Sequence, residues 1–174
     1  MQSSIMQFEP NVNLMKAFNS KVMLINNLEN AENGVTFIRA GADGPPIHRH
    51  PEQEEYFKVW EGSLQVFLKN KWLTLQEGEE IYIPKNTAHS YRSRHSSDSL
   101  FEYRLTPKRD FSGMMKNFEQ LMNEGKLKGT SDLRSIIHLA MTFKKFSKEV
   151  VAVNPPDFVI SAMALIGRTL GYRV

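Results

Sequence analysis

The stretch IHRHPEQEEYF, residues 47–57, holds two histidines two positions apart and three carboxylates within four residues. On an extended strand, residues i and i+2 point to one face, so the His48 and His50 imidazoles can converge on a single ion. Imidazole beside carboxylate is the donor chemistry of a divalent transition-metal site; a merely polar surface loop is the alternative. Pro51 ends or bends the strand. Glu55 lies an odd number of residues past His50, and only the turn that Pro51 starts can bring it to the histidine face. An inward Glu55 carries Phe57 and Val59 with it. It leaves Tyr56, Lys58 and Trp60 outside and puts Glu52 and Glu54 on the loop or rim. A second polar stretch, GEEIYIPKNTAHSYRS (residues 78–93), brackets a strand between Gly78 and Pro84. Asn86 suits a left-handed turn, and His89 begins a further inward set with Tyr91 and Ser93.

The elements that must position these side chains follow from period-2 patterning. Runs at 34–40, 56–60, 64–69, 72–75, 81–83, 89–94 and 101–105 read as strands, with Asn70 turning the 64–75 hairpin. Many short strands with turn residues at close intervals predict a sandwich or closed barrel over residues 1–106. After Thr106–Pro107 the spacing becomes helical. Phe111 to Met122 predicts one helix stopped by Gly125. Leu133 to Phe143 predicts a second, capped by Ser131 or Thr130, and a third runs from an Asn154 cap to about Leu170. Residues 107–174 are therefore expected to form a helical extension that packs on the barrel or on a dimer partner.

The two polar stretches resemble the paired motifs of the cupin superfamily, G(X)5HXH(X)3–4E(X)6G and G(X)5PXG(X)2H(X)3N. His48, His50, Glu55 and Gly62 match the first, and Gly78, Pro84, Asn86 and His89 match the second. Glu54 fits the shorter spacing the first motif allows, but the six-residue interval to Gly62 selects Glu55. Ala42, Asn86 and Ser93 depart from the motifs at turn or support positions, and no ligand position is lost. The resemblance implies an all-β core, a cupin-type double-stranded β-helix or jelly-roll barrel. It also implies one divalent transition metal (Fe, Mn, Ni, Cu or Zn) on His48, His50, Glu55 and His89. Glu55 would be both ligand and catalytic proton acceptor. Arg39, Phe57, Val59, Tyr91, Phe101 and Tyr103 are the expected pocket lining, with packing or a salt bridge the competing role for Arg39 and the tyrosines.

Composition narrows the function. Hydrophobic residues are 41% and charged residues 24% of 174, an ordinary globular balance. No apolar run reaches the ~20 residues of a membrane span, and MQSSIMQFEP shows no signal-peptide pattern, so a cytoplasmic protein is expected. Cysteine is absent, which excludes disulfides and thiol nucleophiles. Net charge is −2 over residues 1–106 and +5 over 107–174. The basic residues are dispersed and not interleaved with aromatics, which argues against nucleic acid as a partner. The expected partners are a small-molecule ligand or substrate and a second copy of the chain. A small-molecule metalloenzyme of dioxygenase, isomerase or decarboxylase type is the leading expectation. A non-catalytic metal- or ligand-binding or sensing module is the alternative. His138 is expected to be structural, His95 to be an exposed loop residue, and the apolar last helix to be buried against the barrel or across a dimer.

Overall fold

The structure, a computed structural model, describes residues 7–129 and 131–174. Most of the N-terminal stretch read for a signal peptide, and the alternative cap Thr130, lie outside the described residues. The core is a jelly-roll barrel of two antiparallel sheets. One has the order β1 (Val12–Asn13), β2 (Ser20–Leu24), β3 (Glu32–Ile38), β10 (Ser99–Thr106), β5 (Glu54–Glu61), β8 (Glu80–Ile83). The other has the order β11 (Val151–Ala152), β4 (His48–Arg49), β9 (His89–Arg92), β6 (Ser63–Leu68), β7 (Lys71–Gln76).

Alternation decides which side chains enter the barrel. Along β10 every second residue is buried, Ser99, Phe101, Tyr103 and Leu105, while those between are half-buried. In register, Tyr103 sits opposite Phe57 on β5 and Gly34 on β3. Gly62 turns β5 into β6 at φ 76°, a left-handed conformation that a side chain resists. Lys69 and Asn70 both have positive φ, the geometry of a tight two-residue hairpin between β6 and β7. Asn86 takes φ 60° as expected, and its N–H donates to the His50 carbonyl at 2.7 Å. The turn in the second motif is thereby tied to the strand of the first.

Among the described residues there are four helices: α1 (Met15–Phe18), α2 (Phe111–Asn123), α3 (Leu133–Lys145) and α4 (Asp157–Thr169). The buried cluster that fills the barrel around Phe57 and Phe101 continues without a break into Met114, Phe118, Leu121, Phe146 and Val150 of the tail. The N-terminus of α2 is held by a group no local pattern shows. Glu32, buried on β3, accepts from the backbone N–H of Phe111 at 2.9 Å, Ser112 at 2.8 Å and Arg109 at 3.3 Å. A carboxylate there satisfies orphan amides and faces the positive end of the helix. At Gly167 α4 presses onto α3, where an added Cβ would meet Ile137 and Met141.

Several sequence expectations change. The cap of α3 is Asp132, not Ser131, because its side chain accepts from Ser135 N–H at 3.0 Å. Asn154 does not cap α4, which starts at Asp157 after Pro156 with no side-chain cap. The tail is not wholly helical. Residues Val151 and Ala152 form β11, paired with Arg49 and His48. Tyr56 was expected outside, yet it is buried on the outer face by Tyr82, Arg104 and a hydrogen bond to Glu80. Among the described residues no helix is long and apolar enough to cross a membrane.

Candidate metal centre

His48 lies on β4, His89 directly opposite it on β9, and Glu55 near the start of β5 in the facing sheet. His50 follows β4. These four side chains are all buried, and one donor atom from each lies within 4.8 Å of every other. The His48 and His89 ring centroids are 4.4 Å apart. Glu55 Oε2 is 2.6 Å from His89 Nε2 and 3.5 Å from His50 Nε2.

The other ring nitrogen of each histidine is committed. His48 Nδ1 meets the Pro46 carbonyl at 2.8 Å, His89 Nδ1 the Thr87 carbonyl at 2.8 Å, and His50 Nδ1 the Glu149 carbonyl at 2.6 Å. A carbonyl oxygen only accepts, so each Nδ1 carries the proton. Each Nε2 of the neutral ring then presents a lone pair toward the carboxylate. The His50 and His89 Nε2 atoms and Glu55 Oε2 are buried, and apart from one another they have no hydrogen-bond partner. Lone pairs facing a buried carboxylate are unfavourable until a cation joins them. A second proton on a ring is one such cation, and a metal ion is the other. The donor set of three imidazoles and one carboxylate fits a borderline divalent ion, with carbonyl partners orienting every ring.

The electrostatics follow from this packing. Burial alone would raise Glu55, but the His50 and His89 rings outweigh it and hold the carboxyl far below its usual range. Burial, together with the neighbouring His89 and His50, keeps His48 well below the ordinary imidazole value. At His89 burial opposes charging, yet Glu55 prevails and the ring titrates above its ordinary value. Burial pushes the Tyr91 and Tyr103 hydroxyls up, so both stay protonated.

A cavity of about 90 Å³ adjoins His48 and Glu55. Phe57, Tyr91, Phe101 and Tyr103 line it, as does the α2 face of Phe111, Met114 and Phe118. The Tyr103 hydroxyl is buried without a partner. Val59 is buried in the barrel core and does not line the cavity, and Arg39 is exposed and lines it neither. Glu54 is exposed, and Glu52, on the rim, pairs with Arg109. His138 is buried in α3, its ring stacked on Tyr172. His95 is half-buried rather than exposed.

Two contributors have no local signal in the sequence. The carbonyl of Glu149 orients His50 across 99 positions, and the Glu149 carboxylate pairs with Arg109. Phe111 places its ring 5.9 Å from that of His50. Both residues belong to the tail, which therefore helps to build the centre.

Residues 34–101 match the cupin domain family model. Over 76 residues the chain is 34% identical to the oxidoreductase iacF of Pestalotiopsis fici, across 42% of this chain and 37% of that protein. Over 69 residues it is 31% identical to the probable oxidoreductase virH of Hypocrea virens, across 39% and 32%. The matched segment thus spans about a third of the length of these curated relatives. KdgF from Halomonas sp. is similar in structure, with a TM-score of 0.49 and 22% identity over 53% of this chain and 83% of that one. The two-sheet barrel, its paired motifs and the family match identify residues 34–101 of this chain as a cupin domain.

Proposed function

We propose that this protein is a metal-dependent oxidoreductase acting on a small organic substrate that binds through oxygen. The observation that carries the reading is the set of three Nδ1–carbonyl bonds. They aim three Nε2 lone pairs toward the Glu55 carboxylate, beside an apolar cavity. The names of the two curated relatives favour redox chemistry over isomerisation or decarboxylation.

His48, His50, Glu55 and His89 would hold the ion, one of Fe, Mn, Ni, Cu or Zn. A bound ion would polarise a substrate oxygen and, if redox-active, would pass electrons from the substrate to dioxygen, the oxidant taken from solution. The chain's own residues do the rest. Glu55 stays ionised and offsets the ion's charge; with so low a pKa it is a weak proton acceptor, so its role is that of a ligand. Phe57, Phe101, Met114 and Phe118 exclude water from the cavity. The Tyr103 hydroxyl, protonated and unpartnered, is free to donate to a substrate oxygen. The cavity beside the donor set, at about 90 Å³, limits the substrate to a small molecule or to the part of one that reaches the ion. The expected homodimer would use the exposed apolar face of α4, with Phe158, Leu165, Ile166 and Leu170.

The test is reconstitution of metal-stripped protein with each of the five ions. Oxygen consumption is then followed across a panel of small phenols, keto acids and diketones. Turnover with one ion, lost in His89→Ala, supports the reading. Stoichiometric metal binding with no turnover of any panel member under any ion refutes the oxidoreductase assignment and favours the sensing module.

A further inference from the structure

We propose that a second chamber, outside the barrel, is a binding site for an amphipathic organic anion: a largely apolar molecule carrying one carboxylate. The chamber has a volume of about 530 Å³, within the range of small-molecule sites. Its floor is the outer face of the five-stranded sheet at Trp72 and Arg92. Its roof is Ile136 and Leu139 of α3 with Ile160 and Met163 of α4.

Arg92 supplies the anion's partner. Its guanidinium carbon lies 3.7 Å over the Trp72 ring, and its Nε donates to Gln65 Oε1 at 2.8 Å. Both contacts fix the group in one pose. Among the described residues no carboxylate pairs with it. The acid in the chamber wall, Asp43, is paired with Arg94 instead. The two terminal nitrogens thus present a pre-oriented, half-buried edge, the geometry that takes a carboxylate by two parallel bonds. Apolar side chains of α3 and α4 line the same chamber and would cover the body of the ligand.

None of His48, His50, Glu55 and His89 lines this chamber, although Phe18, Phe143 and the segment Gly44–Pro45–Pro46 border both cavities. The proposal therefore goes beyond the oxidoreductase reading and does not depend on it.

The test is calorimetric titration of metal-stripped protein with octanoate and with 1-octanol. One octanoate should bind per chain, equally in wild type and in Glu55→Gln, with octanol about tenfold weaker or worse. Arg92→Gln should weaken octanoate by about tenfold or more while leaving octanol binding and metal uptake unchanged. Leu139→Trp should fill the chamber and abolish both ligands, and Met163→Trp does the same work if the first variant fails to fold. The proposal is overturned if octanoate shows no saturable binding at millimolar concentration. It is equally overturned if Arg92→Gln binds octanoate as wild type does, or if Glu55→Gln alone removes binding, which would place the ligand in the metal centre.

Discussion

Replacing Glu32 with glutamine isolates the contact that seats α2 over the barrel mouth. The carboxylate receives three backbone N–H groups, two at 2.8–2.9 Å and one at 3.3 Å, and it is almost fully buried. Glutamine keeps the shape and one acceptor oxygen. It loses the charge at the helix N-terminus and turns an NH₂ donor toward at least one N–H donor. Losing one charge-assisted bond costs about 1.5–3 kcal/mol, and leaving a buried donor unpaired costs about 1–3 kcal/mol more. A total of about 3 kcal/mol, the lower end of that sum, is expected, roughly a hundredfold in the folding equilibrium. Equilibrium unfolding in urea, at a slope of about 2 kcal/mol/M, should show a midpoint lowered by about 1.5 M. Because Phe111 touches the His50 ring and Met114 lines the cavity, α2 should also show faster amide exchange. A midpoint shift below about 0.3 M would match an exposed carboxylate and refute the capping argument.

Other outcomes follow from the same geometry. Tyr103→Phe removes a hydroxyl that has no partner, so thermal stability should be unchanged or slightly raised; a loss above about 1 kcal/mol would mean the hydroxyl is bonded. Metal affinity should fall with acidity. His89 titrates above its ordinary value in the metal-free centre, so a proton competes for its Nε2 as pH drops through that raised value. His48 is held well below the ordinary imidazole value and Glu55 far below the usual carboxyl range, so neither adds a competing proton there. Affinity should then lose about tenfold per pH unit below the His89 pKa, with onset above the ordinary 6.5, and be flat at higher pH. Constant affinity between pH 8 and pH 6 would contradict this. Arg109→Ala releases the Glu149 segment whose carbonyl holds His50, and metal affinity should drop by about tenfold at near-constant stability. Unchanged affinity would show that the segment is held without Arg109.

The parts of the fold legible in the sequence are those with local signals. Strand β10 alternates over eight residues, and the β6–β7 hairpin announces itself through Asn70. Asn86 takes the left-handed turn its residue type invites. The four converging side chains sit at motif spacing, so their grouping is legible in the sequence alone. What stayed hidden depends on contacts distant in sequence. Strands β1, β4 and β11 have two residues each, too short for a periodicity. Glu32 reaches its amide partners across 77 to 80 positions, and His50 its carbonyl across 99. Tyr56 alternates as an outward residue should, yet Arg104 and Tyr82 cover it from the neighbouring strands. No one-strand pattern reports such cover.

A metal held by His48, His50, Glu55 and His89 is the central proposal, and elemental analysis tests it most directly. Protein purified without chelator, and after exposure to Fe, Mn, Ni, Cu and Zn salts, should hold about one divalent transition ion per chain. His48→Ala and His89→Ala should each retain at least about tenfold less while still folding. A wild-type chain that binds none of the five ions, or variants that bind as much as wild type, would contradict it.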